Sequence, residues 1–426
     1  MTTAEHRLPG LHLTDHVFDV PLDHADSKKG TIQVFAREVV DVQQRDKDLP
    51  WLVFLQGGPG GMSPRPMGKE NWIKVATKRY RLLLLDQRGT GKSTPVTHET
   101  LAKIPTPQGQ ADYLSLFRAD SIVRDCEFIR RDLGVEKWAT LGQSYGGFCT
   151  FTYLSHAPES LKHCYVTGGV PSLTHPADEV YRATYAKCAR KNDRFYQRHP
   201  DDEKHVQEIL GQVLDNDYEL PSGAKMTVDR LRHLGHGFGF MEGFDALHWL
   251  LERAIVDGRL SHSFLKSVED KSGFDGGPIY AILQEMCYTQ GAAANWSADR
   301  IKKEFPQFEI TDGRFYFMGE MTGRWMFEQI PTLRPFIEAA DILESKSDWP
   351  ALYDPERLKH NQVPVCCAVY HDDMYVPSQF SIETADSVPN VRAWVTNEFE
   401  HCALRTASEK VLGRLFDMMD GEILSP

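Results

Sequence analysis

Apolar runs of strand length alternate with helix-like periodicity through residues 51–172. Continuous apolar runs predict strands at residues 51–55, 81–85, 138–141 and 164–170. The first two runs are apolar enough to be buried on both faces of a sheet. Apolar residues also recur on one face of a predicted helix that ends at Gly134 and has Asp120 or Ser121 as its N-cap. Strands that alternate with helices are typical of a parallel α/β sheet.

The strand pattern fades between about residues 176 and 345. That segment consists of helix-like stretches rich in charge, histidine and aromatic residues. Strands are predicted again at residues 363–370 and 391–396. We therefore predict a discontinuous main domain, residues 1–172 and 346–426, and an inserted, mainly helical cap domain, residues 173–345.

Composition sets limits on the function. The 426 residues, 41% of them hydrophobic, can bury the core of a main domain and an inserted one. A formal net charge of −12 argues against binding to nucleic acid. No apolar run is long enough to span a membrane and the start of the chain lacks a secretory signal, so we expect a cytoplasmic protein with no membrane partner. The eight cysteines lack metal-ligand spacing, and we expect reduced thiols, no metal and no cofactor.

The stretch Thr140–Gly147 joins a predicted strand to an apolar helical stretch and reads Thr-Leu-Gly-Gln-Ser-Tyr-Gly-Gly. In this context the spacing Gly-x-Ser-x-Gly indicates a nucleophile elbow, in which glycines let the chain turn sharply and expose the serine hydroxyl. The motif therefore predicts Ser144 as a nucleophile for acyl transfer.

An activated serine needs a histidine base and an acid that orients the base. In this architecture both follow the serine at the ends of later strands. The predicted strand at residues 363–370 leads into Asp372 and Asp373, and the strand at 391–396 leads into His401. We predict His401 as the base and Asp373 as the acid, with Asp372 as the competitor.

A glycine cluster, Gln56–Gly61, follows the first predicted strand. Its glycines let backbone N–H groups approach a substrate oxygen closely. We predict an oxyanion hole formed by the N–H groups of Gly58 and Tyr145, the residue after the nucleophile.

The stretch Gly89–Thr94 is similar to the end of a phosphate-binding loop. Asp86 stands where that motif requires glycine, so the match fails. We predict instead a turn in which Arg88 pairs with a local carboxylate.

Three blocks carry a family resemblance. In this order, Gln56–Gly61, Asp86–Ser93 and Gly142–Gly147 resemble the motifs of the proline iminopeptidase family of α/β-hydrolases, in particular its larger branch. The resemblance extends from about residue 18 to His401. It implies an α/β-hydrolase fold, a helical cap and removal of N-terminal proline from short peptides in the cytoplasm.

The resemblance also bears on substrate recognition. An aminopeptidase must recognise a free amine, and carboxylates in the cap are simple partners for it. The family's amine-binding glutamates lie in comparable places, which implies Glu285 and Glu320 here. The chain departs from the family at Gln56, where a histidine is usual, and at Tyr370, where a glycine is usual.

We therefore expect a metal-independent serine aminopeptidase whose substrates are short peptides that begin with proline. Two other functions stay open at this point: a carboxylesterase or lactonase of the same fold, and a non-catalytic scaffold that binds a ligand through the cap. The sequence also leaves the oligomeric state open, a homo-oligomer included.

Overall fold

The computed structural model describes residues 2–274, 276–310 and 313–424. Within them the strands are β1 (Thr2–Leu8), β2 (Leu11–Pro21), β3 (Thr31–Asp41), β4 (Trp51–Leu55), β5 (Arg81–Leu85), β6 (Trp138–Gln143), β7 (Leu161–Thr167), β8 (Ile255–Val256), β9 (Arg259–Leu260), β10 (Val365–Tyr370) and β11 (Val391–Thr396). The α-helices are α1 (Asn71–Ala76), α2 (His98–Leu101), α3 (Pro107–Leu114), α4 (Ala119–Asp132), α5 (Tyr145–His156), α6 (Ala177–Arg198), α7 (Asp201–Asp215), α8 (Val228–His233), α9 (Gly243–Leu251), α10 (His262–Ser272), α11 (Pro278–Leu283), α12 (Ser297–Lys302), α13 (Arg324–Gln329), α14 (Ile337–Ser345), α15 (Pro355–Leu358), α16 (Ser378–Ser387), α17 (Ala403–Thr406) and α18 (Ser408–Asp420).

Nine of the described strands form one sheet in the order β1-β2-β3-β5-β4-β6-β7-β10-β11. The strands from β5 to the β11 edge pair in parallel, whereas β1, β2 and β3 pair antiparallel and β3 joins β5 antiparallel. Helices α1 and α18 pack on one face of the sheet, and α4 and α5 pack on the other. This mostly parallel sheet, covered on both faces, is the predicted architecture.

Most predicted strands match the structure closely. The predictions at residues 51–55, 81–85 and 391–396 coincide with β4, β5 and β11. Strand β7, however, lies earlier than the predicted residues 164–170. It ends before Gly168 because that glycine has a positive φ of 54°, which an extended strand does not accommodate.

Strands β1, β2 and β3 lie outside the elements predicted from the sequence. Buried polar residues interrupt the apolar pattern of β2 and β3, among them His12, Asp15 and Glu38. The carboxylate of Asp15 accepts two hydrogen bonds from the Arg37 guanidinium, at 2.6 and 2.9 Å. Because Arg37 satisfies the carboxylate from the neighbouring strand, Asp15 can be buried without the apolar run that identifies the other strands.

The N-cap of α4 differs from the prediction. Arg118 occupies the N-cap position, so the predicted caps Asp120 and Ser121 are wrong, and both lie in the first turn. The Arg118 side chain donates hydrogen bonds to the carbonyl oxygens of Thr289 and Pro350, each at 2.7 Å. A long-range contact therefore anchors the start of this helix in place of a local side-chain cap.

The chain between β7 and β10 contains helices α6–α15 and the small antiparallel ribbon of β8 and β9. These helices pack against the main sheet's own helices: α14 contacts α3, and Tyr181 and Tyr185 of α6 join the core that includes α4 and α5. The exact boundaries of a cap domain at residues 173 and 345 stay predictions.

Within the described ranges, none of the helices combines the length and apolar character that crossing a bilayer needs.

Candidate active site

Ser144 lies in a sharp turn between β6 and α5. Its backbone has φ 55° and ψ −126°, a conformation that a non-glycine residue rarely adopts. A Cβ at position 142 would lie 2.4 Å from the Gly146 carbonyl oxygen, and one at position 146 would lie 1.8 Å from that of Leu55. Only glycine fits at both positions, which explains the Gly-x-Ser-x-Gly spacing.

His401 and Asp373 are joined by a hydrogen bond of 2.6 Å between the imidazole Nδ1 and the carboxylate Oδ2. The other oxygen of Asp373 accepts from the backbone N–H groups of Tyr375 and Val376, at 2.9 and 3.0 Å. These bonds hold the carboxylate in place. Because Nδ1 is bonded to Asp373, Nε2 is the imidazole nitrogen that remains for proton transfer. Burial by itself lowers the pKa of His401, but the charge and hydrogen bond of Asp373, helped by Glu320, outweigh it and raise the pKa.

Asp372, the alternative candidate for the catalytic acid, interacts with basic side chains instead of His401. Its carboxylate accepts a hydrogen bond of 2.7 Å from Arg194 and lies 3.8 Å from the ammonium group of Lys187. The geometry therefore favours Asp373 as the partner of His401.

The predicted oxyanion donors lie beside the nucleophile. The chain after β4 passes so close to Ser144 that a Cβ on Gly57 would lie 2.9 Å from the Ser144 Cβ. Gly58 follows with a φ of 128° and lines the same cleft as Ser144. Tyr145 is the first residue of α5, so its N–H has no acceptor within the helix. Both residues thus lie near the serine.

A cleft of about 170 Å³ adjoins Ser144 and His401. Glu320 is the one carboxylate among its described lining residues. The Tyr280 hydroxyl donates a 2.6 Å hydrogen bond to Glu320, and His236 Nε2 lies 3.0 Å from that hydroxyl. Desolvation deep in the cleft raises the pKa of Glu320 to about 7, against the opposing effects of Tyr280 and His401. Burial lowers the pKa of His236 to about 4, so its ring is neutral at pH 7.

Glu285 lies outside this cleft, and its carboxyl group contacts the backbone of another segment of the predicted cap. Its two carboxylate oxygens accept hydrogen bonds of 2.8 Å from the backbone N–H groups of Ser297 and Ala298, at the start of α12. Burial raises the pKa of Glu285 well above its usual range, and the neighbouring Glu344 raises it further. The geometry therefore gives no support to the expectation that Glu285 binds a substrate amine, because both of its oxygens are occupied by a helix terminus.

Several residues of the cleft were not anticipated from the sequence. Tyr280 and His236 orient Glu320, and Tyr375 packs its ring 4.7 Å from that of His401. Tyr375 follows Asp373 closely in the sequence, and this proximity could have predicted that Tyr375 lies near the active site. No local pattern distinguishes Tyr280 or His236 from the many other aromatic and histidine residues of the segment.

The turn after β5 has the predicted structural role. Arg88 donates two hydrogen bonds to the Asp125 carboxylate, at 2.7 and 2.6 Å, and both side chains are buried. The prediction that Arg88 pairs with a carboxylate is confirmed. Asp86 accepts a hydrogen bond from the backbone N–H of Lys92, so a carboxylate of the same turn binds an N–H group of the glycine-rich segment.

Comparisons with known proteins agree with this geometry. A family model described as the alpha/beta hydrolase fold matches residues 50–205. A proline iminopeptidase from Aeromonas sobria is 47% identical over 411 residues, which cover 96% of this chain and 96% of that protein. The chain belongs to the proline iminopeptidase family.

Two further matches extend this result. Proline iminopeptidase aneH from Aspergillus aculeatus, of the same family, is 36% identical and covers 95% of this chain and 93% of its own length. The solved structure of esterase E22 is similar with a TM-score of 0.50 at 10% identity, covering 95% of this chain and 98% of the esterase. The esterase shares the fold, and the α/β-hydrolase fold predicted from the sequence is confirmed.

Proposed function

We propose that this protein is a serine aminopeptidase that releases an N-terminal proline from short peptides. One observation carries the proposal: the Glu320 carboxylate lies in the same small cleft as Ser144 and His401. An ester or lactone substrate gives no reason to place an anion there, whereas the free amine of a peptide is a cation that needs one. Membership of the proline iminopeptidase family supports the same choice.

The reaction uses the three groups at the edge of the sheet. His401 Nε2 takes the proton of the Ser144 hydroxyl, and the serine oxygen attacks the proline carbonyl. Asp373, held by two backbone N–H groups, keeps the imidazole oriented and stabilises its charged form. The N–H groups of Gly58 and Tyr145 donate to the oxyanion that develops. The amine leaves with the proton from His401, and water then hydrolyses the prolyl-enzyme ester.

Recognition of the amine rests on Glu320. Burial raises the pKa of Glu320 to about 7, and an ammonium group close to it favours the ionised form. Tyr280 holds one carboxylate oxygen, and the neutral His236 supports Tyr280. The pairing is desolvated, so loss of either charge leaves the other unpaired and weakens binding strongly. Glu285 has no part in this proposal.

The cleft's size agrees with a terminal residue as the substrate group. Its volume of about 170 Å³ is below the roughly 300–1,000 Å³ of pockets that hold drug-sized ligands. We propose that a cap domain, residues 173–345, closes the cleft so that only the beginning of a peptide enters. Cytoplasmic residence, a homo-oligomer and the absence of nucleic-acid and membrane partners remain expectations of the sequence.

Purified protein would be given proline, alanine and leucine arylamides and an N-blocked proline arylamide, with and without a chelator. We expect rapid hydrolysis of the free proline substrate, little of the blocked one, and no effect of the chelator. Failure on free proline arylamide together with rapid hydrolysis of simple esters would contradict the peptidase and favour a carboxylesterase. Absence of reaction with a fluorophosphonate would indicate a non-catalytic scaffold.

A further inference from the structure

Arg405 lies between the Ser144 cleft and a larger groove on the surface. It lines the cleft together with Ser144 and His401. It also lines a groove of about 650 Å³ formed by residues of α1, α17 and α18. Arg405 belongs to α17, which begins just after His401. A chain that leaves the cleft past His401 therefore passes this side chain before it reaches the groove.

The charge of Arg405 has no carboxylate partner within the described ranges. Its guanidinium lies over the ring of Phe240, 5.8 Å from the ring centroid, and the side chain is exposed. Lysines on the α1 side of the groove are different, because Lys69 pairs with Asp41 and Lys74 with an acid of α18. An uncompensated guanidinium in a cleft of a protein with a net charge of −12 is available for an anionic ligand.

The polarity of a peptide directs its leaving part toward Arg405. In the proposed reaction the ammonium group pairs with Glu320, the carbonyl faces Ser144, and His401 gives a proton to the departing amine. That amine therefore lies on the His401 side of the serine. In a dipeptide only one Cα separates this nitrogen from the terminal carboxylate, so the negative charge is close to the scissile bond.

We propose that Arg405 is a specificity-determining residue that binds the terminal carboxylate of a short leaving peptide. This inference rests on the proposed function. A guanidinium can hold a carboxylate through two parallel N–H donors, a geometry that neither an amide nor an arylamide leaving group offers. The protein then favours dipeptides with a free carboxylate over the same dipeptides with an amidated end.

The test compares prolylglycine with prolylglycinamide, which lacks the terminal charge, and uses proline arylamide as a measure of basal activity. The variants are Arg405→Gln, Arg405→Lys and Lys410→Gln. Lys410 is a matched control because it lines the groove but not the cleft, and its loss removes the same charge. Because Arg405 also acts electrostatically on His401 in every reaction, the decisive quantity is the ratio of kcat/KM between acid and amide.

We expect Arg405→Gln to lower kcat/KM for prolylglycine about tenfold and for prolylglycinamide less than about twofold, as loss of a charge-assisted hydrogen bond predicts. Arg405→Lys should recover part of the ratio, and Lys410→Gln should leave it unchanged. Equal losses on acid and amide, or equal effects of Arg405→Gln and Lys410→Gln on the ratio, would overturn this inference while leaving the proposed function intact. A wild-type protein that cleaves none of the three proline substrates would instead contradict the proposed function.

Discussion

Two regions of this protein each contain a carboxyl group withdrawn from bulk water, and they differ in what the group meets. Glu320 is partly accessible from the cleft, and it accepts a hydrogen bond from a side chain, that of Tyr280. Glu285 is only 2% exposed, and it accepts from two backbone N–H groups at the start of α12 beside Glu344. The first carboxylate has room for a ligand cation, whereas the second completes a helix terminus.

Burial and a raised pKa therefore do not by themselves identify a binding residue. Burial raises the pKa of Glu320 and of Glu285 alike. What separates the two is the cavity next to one and the backbone donors next to the other.

The largest effect is expected from Ser144→Ala, which removes the group that makes the Glu320 region an active site. We expect kcat for proline arylamide to fall at least about 10⁴-fold, with labelling by a fluorophosphonate lost. The free energy of unfolding should not fall, since the change to alanine removes none of the backbone hydrogen bonds that hold the turn. Residual activity within tenfold of wild type would mean that another residue is the nucleophile.

Glu320→Gln should cost less than loss of the nucleophile but still a great deal. The amide keeps the shape and can accept from Tyr280, yet it cannot balance the ammonium group. We expect kcat/KM for proline arylamide to fall about 100-fold, mainly through KM, with little change in unfolding. Kinetic constants and urea unfolding of the same preparation measure both. An unchanged KM would remove Glu320 from amine recognition.

Glu285→Gln is the matched variant in the other region, and we expect the opposite result. One carboxylate oxygen becomes an NH₂ group that faces a backbone N–H of Ser297 or Ala298, so two donors meet. We expect the free energy of unfolding to fall by about 1–3 kcal/mol, while KM stays within about twofold. If KM rises as much as in Glu320→Gln with no loss of stability, the distinction between the two glutamates is wrong.

The smallest effect is expected from Glu344→Gln, and it depends on pH. Burial raises the pKa of Glu344 to about 7 from an ordinary value of 4.5, so the folded protein holds a proton that the unfolded chain releases. The stability that this group contributes is therefore complete below about pH 4.5 and is lost as the pH rises toward 7. Glutamine imitates the protonated form at every pH.

Urea unfolding at pH 5 and pH 8 measures this effect. We expect the stability difference between the two pH values to be smaller in Glu344→Gln by about 1–2 kcal/mol, with unchanged kinetics. The stability at pH 5 should stay within about 1 kcal/mol of wild type. An identical pH dependence in both proteins would show that Glu344 does not hold the proton.

The parallel strands of the sheet and the groups at their carboxyl ends were predictable from the sequence, because their signals are local. A buried strand is a continuous apolar run, and Ser144, Asp373 and His401 each follow a predicted strand within a few residues. Parallel strands bring their carboxyl ends to one edge, so strand order and loop position are enough to expect these residues near each other.

Elements that depend on distant partners were not predictable in the same way. The antiparallel strands β2 and β3 carry buried charges whose partners lie on another strand, such as Asp15 with Arg37. The start of α4 depends on carbonyl groups far along the chain that Arg118 contacts. A window of neighbouring residues contains neither partner, and so neither feature had a local signal.

The sequence was enough to predict the nucleophile elbow, the order of the three reacting groups and the family, because each depends on residues adjacent in the chain or on spacing between strands. The folded structure was needed to show that Glu320 lines the cleft, that Glu285 accepts hydrogen bonds from a helix terminus, and that Arg405 lines both the cleft and the groove. The physical reason is that a lone glutamate or arginine has the same local sequence whether it meets a cavity or the backbone. The energy of a charge depends on the groups around it in space, and folding brings those groups from elsewhere in the chain.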